Sequence, residues 1–178
     1  ALRQDITLTM IGERVNTLGS RKVKRLLLND DYDGVLEVAR EQVDGGAHLL
    51  DVCVATTERP DEKEQMVTLV KKLTMNVELP LVLDTTEADV LKAALETYPG
   101  RAVINSVSLE GGRGEKLDRT LPLLARYGAA AMAMTMKNLL KAFRGAKAAA
   151  SAPAATATVV MTEAARKSRM KVGKARFS

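Results

Sequence analysis

Three polar groups stand where short apolar runs end. Asp51 follows His48-Leu49-Leu50, Asp84 follows Leu81-Val82-Leu83, and Asn105-Ser106 follows Val103-Ile104. A carboxylate accepts hydrogen bonds through two oxygens, and an amide both donates and accepts. Burying such groups without partners is costly. Polar groups recurring at the same point of consecutive runs therefore point to one shared ligand site. Glu13 and Asn16 end an earlier run, Leu8 to Asn16, and are weaker candidates because they equally serve to orient the following loop. A single strand-end Asp can also cap the next helix; three in register are harder to explain that way. His48 lies early in its run, away from the proposed site, and reads as structural. Cys53 reads as a small buried hydrophobe. The glycines of Glu110 to Gly114 lack the Gly-Lys-Ser/Thr ending of a phosphate loop. No catalytic residue and no metal site is assigned.

The elements that must position these groups alternate. Apolar runs predict parallel strands near residues 9–15, 47–54, 81–85, 102–107 and 129–134. Between them lie four helices. Leu36, Ala39 and Val43 share a face over residues 33–44, which Gly45-Gly46 ends. Pro60-Asp61-Glu62 opens a helix with the stripe Met66, Leu69, Val70, Leu73. Thr86-Glu87-Ala88-Asp89 resembles a capping box before Val90, Leu91, Ala94 and Leu95. The last helical stretch ends at Tyr127-Gly128 and contains Pro122, so Thr120 is a candidate cap for a separate helix there. Thr17 to Arg25 reads as a polar, basic connection.

Strands alternating with helices mean a parallel sheet with right-handed crossovers. A doubly wound sheet and a (β/α)8 barrel both fit. The strand-end polar groups favour the barrel, whose ligands bind at the C-terminal ends of its strands.

Composition limits the function classes. With three Tyr, two Phe and no Trp, there is little aromatic surface for stacking bases. No apolar run is long enough to span a membrane, and no signal peptide is visible. One Cys excludes an internal disulfide and fits a reducing, cytoplasmic setting. The net charge of +5 hides an asymmetry: residues 136–178 carry ten Lys/Arg and one acid, leaving 17 basic against 21 acidic residues before them. The expected organisation is a domain over 1–135 and a tail over 136–178, rich in Ala, Lys and Arg, disordered or helical, with a low-complexity linker from Ala146 to Thr158.

The segment Ile11 to Lys22 (IGERVNTLGSRK) resembles the opening of the methyltetrahydrofolate-binding domain of cobalamin-dependent methionine synthase and of methyltetrahydrofolate:corrinoid/iron–sulfur protein methyltransferase. The same order continues with AREQVDGGAHLLDV (Ala39 to Val52), PLVLDTT (Pro80 to Thr86), VINSVSLEGG (Val103 to Gly112) and LLARYGAAAMAMT (Leu123 to Thr135). Dihydropteroate synthase shares the fold, but its Asn-x-Thr-x-Asp-Ser-Phe opening is absent. The resemblance implies an incomplete TIM barrel whose Asp84 and Asn105 hold a pterin ring. It matches Asp51 to an acid lining the same pocket; Ser106 and, more weakly, Glu13 and Asn16 join the candidate pterin-binding residues by their strand-end positions. It implies methyltetrahydrofolate as substrate and methyl transfer to cobalamin on a separate corrinoid-binding domain or protein, in methionine synthesis or one-carbon metabolism.

After Thr135 no further barrel motif is recognisable. The chain alone is therefore expected to bind methyltetrahydrofolate weakly and turn over little. Open barrel edges point to a homodimer or to tail packing over one edge. The alternative is a non-catalytic half-barrel whose basic tail binds nucleic acid or another acidic partner, although basic tails are commonly just solvated. Membrane and nucleic-acid partners are not expected.

Overall fold

A computed structural model describes residues 9–107, 116–133 and 159–161. The chain forms two compact units, Ala1–Val103 and Ile104–Ser178.

In the first unit, strand β1 (Ile11–Gly12) is followed by helices α1 (Arg21–Leu28) and α2 (Tyr32–Asp44). Strand β2 (Leu49–Val52), helix α3 (Glu62–Asn76), strand β3 (Leu81–Asp84) and helix α4 (Ala88–Thr97) complete it. The strands pair in parallel and in chain order. Ile11 and Gly12 pair with Leu49 and Leu50, while Leu50, Asp51 and Val52 pair with Leu81, Val82 and Leu83. In a doubly wound sheet β1 would lie between its neighbours; here β2 does. All four residues of β2 are buried, as expected of a parallel strand covered on both faces. The helices pack α1 on α2, α2 on α3 and α3 on α4. The predicted stripe Met66, Leu69, Val70 and Leu73 is fully buried, and Val90, Leu91, Ala94 and Leu95 are buried.

Several local expectations are corrected. The basic connection contains helix α1. Ser20 caps it by accepting from the Val23 amide at 3.3 Å, and Val23 and Leu27, four residues apart, bury its inner face. That makes five helices among the described residues, where the sequence predicts four. The capping box before α4 does not form. Glu87 is the cap residue without a side-chain bond, and its amide instead donates to Thr85 Oγ1 at 3.1 Å. Asp61 likewise gives no cap bond to α3, because Arg59 holds its carboxylate.

In the second unit, strand β4 (Val103–Val107, beginning at the last residue of the first unit) precedes helix α5 (Lys116–Tyr127) and strand β5 (Ala130–Ala133). Pro122 lies inside α5, with no separate helix at Thr120. Burial of Leu117 and Leu124 on one face outweighs the ~3 kcal/mol an interior proline costs. Gly128, at φ 63°, takes the left-handed conformation that ends a helix. Strand β6 (Val159–Met161) adds in parallel to β5, Ala131 opposite Val159. This strand falls in the segment that composition assigns to a tail. Its Val-Val pair is a β-forming signal directly after the low-complexity stretch. The glycine loop after Ser108 and the linker itself lie outside the described residues. No described helix is long and apolar enough to cross a membrane.

Candidate functional site

Asn16 is the centre of the site. The chain leaves β1, turns through Glu13 and Arg14, and rejoins the sheet at one point, where Asn16 bridges Cys53 in parallel. The Val15 carbonyl accepts from the Cys53 amide at 3.2 Å, and the Thr17 amide donates to the Cys53 carbonyl at 3.1 Å. Asn16 is only 6% exposed, so its amide must find partners inside the protein. Its Nδ2 donates to Asp51 Oδ2 at 2.7 Å and to Asp84 Oδ2 at 3.0 Å. Its Oδ1 accepts from the amides of Leu18 at 2.8 Å and Gly19 at 3.2 Å. The orientation of the amide is unambiguous, because N faces only carboxylate oxygens and O faces only N–H groups.

Asp51 and Asp84 are not at the same level. Asp51 pairs with Val82, so Asp84 lies two residues further along its strand, on the same side of the pleat. Asn16 spans the diagonal between them. Asp51 is buried at 3% exposure, and Asp84 is half-buried at the end of β3. Burial, first, and the negative charge of Asp51, second, push the Asp84 carboxyl up to about 6. The Asn16 hydrogen bond opposes the rise and nearby Glu62 adds to it. Glu62, in the first turn of α3, accepts from Thr85 Oγ1 at 2.7 Å. Burial raises the Cys53 thiol to about 11, which leaves it protonated and unreactive at neutral pH.

The loops after β1 and β2 are tied together around this cluster. Buried Thr17 donates to the Ala55 carbonyl at 2.6 Å. Lys24 pairs with Glu58 at 2.7 Å, and Glu58 also accepts from Thr56 and Thr57. Arg59 bonds both Asp61 oxygens, Asp30 at 2.7 Å and the Leu27 carbonyl at 3.1 Å. That carbonyl, in the last turn of α1, also accepts from the Asp30 amide at 3.2 Å.

Of the sequence candidates, Asn16, Asp51 and Asp84 converge, and Asn16, ranked among the weaker two, is the one that joins the others. Glu13 is exposed. Asn105 and Ser106 lie in the second unit, both half-buried on β4 between Ile104 and Val107, which are buried. His48 is structural in its bonding: its Nδ1 accepts from the Met10 amide at 2.9 Å. Thr17 and Glu62 escaped sequence reasoning. Thr17 carried no signal beyond its neighbour Asn16, and Glu62 appeared only as a helix-start acid. Among the described residues no three His, Cys, Asp or Glu side chains gather as a metal site.

The arrangement is a recessed pair of acceptor oxygens, held by one amide and partly desolvated. It suits a ligand presenting N–H donors. The chain is 41% identical over 135 residues to methionine synthase of Mycobacterium tuberculosis and 42% identical over 135 residues to that of Mycobacterium leprae. These alignments cover 75% of this chain and 11% of each relative, so the chain spans about a ninth of their length. Among solved structures, a Yersinia pestis DHPS bound to a pterine-sulfa conjugate superposes with TM-score 0.57 at 18% identity. It covers 86% of this chain and 57% of its own. Dihydropteroate synthase from Thermus thermophilus, in complex with 6HMPPP, superposes with TM-score 0.51 at 26% identity, over 72% of this chain and 53% of its own. The fold is thus an incomplete TIM barrel of the dihydropteroate synthase type. The family of pterin binding enzymes matches residues 12–176, past Thr135 where sequence reading finds no further motif, and the chain belongs to that family.

Proposed function

We propose that the chain is a methyltetrahydrofolate-binding domain of a cobalamin-dependent methyltransferase, with Asp51 and Asp84 facing the pterin. The observation that carries this reading is the carboxylate pair bridged by Asn16. A pterin offers ring N–H and amino donors in a row, and carboxylates accept such donors through short, charge-assisted bonds. The 41% identity to methionine synthase favours the methylated folate over the substrates of dihydropteroate synthase.

In this reading the chain's own residues bind and orient. The N5-methyl group sits on a tertiary amine, a poor leaving group until N5 is protonated or hydrogen-bonded in the transition state. The carboxylates fix the far edge of the ring so that N5 and its methyl project from the site. The methyl acceptor is a corrinoid carried by a separate domain or protein. We further assign the setting to the cytoplasm and the assembly to a homodimer through barrel edges. Two charge-assisted hydrogen bonds supply ~3–6 kcal/mol before ordering costs. Binding to the isolated chain is therefore expected near millimolar, which corresponds to about 4 kcal/mol.

The test is titration of the 178-residue chain with 5-methyltetrahydrofolate, followed by NMR chemical-shift perturbation, which reaches millimolar affinities. Saturable shifts at Asp51 and Asp84, abolished by Asp84→Ala, are expected. Saturable binding that Asp84→Ala leaves unchanged would place the ligand elsewhere. Absence of saturable shifts up to several millimolar would overturn the reading.

A further inference from the structure

We propose that Asn16 is the positioning residue of this site: one side-chain amide locks the two carboxylates and the loop after β1 into a single arrangement without itself touching the pterin. The inference rests on the pterin reading for its ligand, and on the geometry of Asn16 for the role.

A primary amide has two N–H donors and two acceptor lone pairs. In Asn16 the two donors go to Asp51 and Asp84, and the oxygen takes the Leu18 and Gly19 amides. All four positions are used. No capacity is left for a ligand, so Asn16 acts through its partners. It spans 35 and 68 residues of sequence to reach them. The loop it pins carries Leu18, which is 79% exposed, and leads directly into the Ser20 cap of α1.

The consequence for the carboxylates is electrostatic as well as geometric. Two carboxylates in proximity repel, and one tends to keep its proton. Asp84 faces Asp51 from β2 and Glu62 from α3; the Asn16 amide opposes their effect by stabilising the ionised form. Without it, Asp84 holds a proton to higher pH and loses the acceptor character that a pterin edge requires. Asn16 thereby keeps two like charges usable in one pocket.

The deciding variant is Asn16→Ser. A serine hydroxyl still accepts from backbone amides two and three residues on, as in loops of this kind, but it cannot reach both carboxylates. Two readings are taken on the full chain: the pH titration of the Asp84 carboxyl by carbon-13 NMR, and the Kd for 5-methyltetrahydrofolate at pH 6, 7 and 8. The expected result is an Asp84 titration displaced upward by at least half a pH unit. At pH 7 the Kd should weaken at least tenfold, with a larger loss at pH 6 than at pH 8. A residue that only holds the loop predicts an unmoved Asp84 titration and a pH-independent change, and that result would overturn the proposal. Should Asn16→Ser not fold by circular dichroism, Asn16→Ala is read the same way. There, hydrogen exchange of the Leu18 and Gly19 amides separates loop release from the carboxylate effect. If the wild-type chain binds no 5-methyltetrahydrofolate, the pterin reading fails, while the Asp84 titration in the unliganded chain still decides the role of Asn16.

Discussion

At the scale of single residues, Asp84 couples ligand binding to pH. Its carboxyl titrates at about 6 because it is partly desolvated beside Asp51. The sign follows from which form accepts hydrogen bonds. A ligand that donates N–H groups prefers the ionised carboxylate, which dominates above pH 6. Below that, binding must expel a proton. The affinity for 5-methyltetrahydrofolate is expected to be flat above pH 6 and to fall about tenfold per unit below it. Titrations between pH 5 and 8 check this, and an affinity that rises on acidification would contradict the assignment of Asp84 as an acceptor. Stability runs the opposite way. The folded-state value lies above the ordinary one, 3.8, so the folded state holds more protons between about pH 4 and 6. Stability is then highest on the acid side of this window and declines as pH rises through it. Asp84→Asn removes the buried charge and can still accept from Asn16. It should stabilise the unliganded chain at pH 7 by on the order of 1 kcal/mol, after discounting for the solvent that screens a half-exposed group. The same variant should weaken pterin binding. Urea denaturation and ligand titration of one preparation test both halves; destabilisation would mean that Asp84 is held by partners needing its charge.

Elements place these residues, and here the sequence was informative only in part. Strands β2 to β5 were legible because each is a compact apolar run, and α2 to α4 because their stripes repeat at helical spacing. Helix α1 was hidden: Arg21, Lys22, Lys24 and Arg25 mask Val23 and Leu27, and a single Ser20 cap does not stand out in a polar stretch. The Asp51–Asp84 pair was readable from strand ends. The place of Asn16 was not, because convergence over 35 and 68 residues leaves no local trace. The capping box failed for a related reason. The helix takes Glu87, not Thr86, as its cap residue, and the Glu87 amide is held by Thr85, whose own hydroxyl donates to Glu62. Since α1 begins where the Asn16 loop ends, its cap should matter beyond its size. Ser20→Ala is expected to cost ~1 kcal/mol in urea denaturation, the usual loss for a cap. Faster hydrogen exchange should appear in the Leu18 and Gly19 amides as well as in α1. Exchange confined to α1 would show that Asn16 holds the loop unaided. Arg59→Ala should lower the melting temperature more than Lys63→Ala, because Arg59 joins the end of α1 to the start of α3, whereas Lys63 makes no ion pair among the described residues.

For the whole molecule, the question is how a sheet of barrel type meets its surroundings at its edges. In the first unit, no described strand pairs with β1 on the side away from β2. A strand edge offers unpaired N–H and C=O groups to any second chain. The charge distribution offers another route to association. The segment from 136 onward is strongly basic, while residues 1–135 are mildly acidic, so one copy's tail can attract another copy's body. These routes differ in their response to salt. Attraction between exposed charges is screened over about 3 Å at 1 M ionic strength, against 10 Å at 0.1 M. Backbone pairing at an edge, backed by apolar contact, is not screened. The edge-paired homodimer predicts a dimer mass by light scattering at both 0.1 M and 1 M salt, with a concentration-dependent return to monomer on dilution. A dimer that dissolves at 1 M salt would assign association to the tail, and a monomer at every concentration would remove the edge as an interface. Adding 5-methyltetrahydrofolate carries the argument back to the site. A ligand that binds only the folded chain stabilises it by mass action, so at several times its Kd it should raise the melting temperature. If edge pairing completes the pocket, that rise grows with protein concentration; if the pocket lies within one chain, it does not.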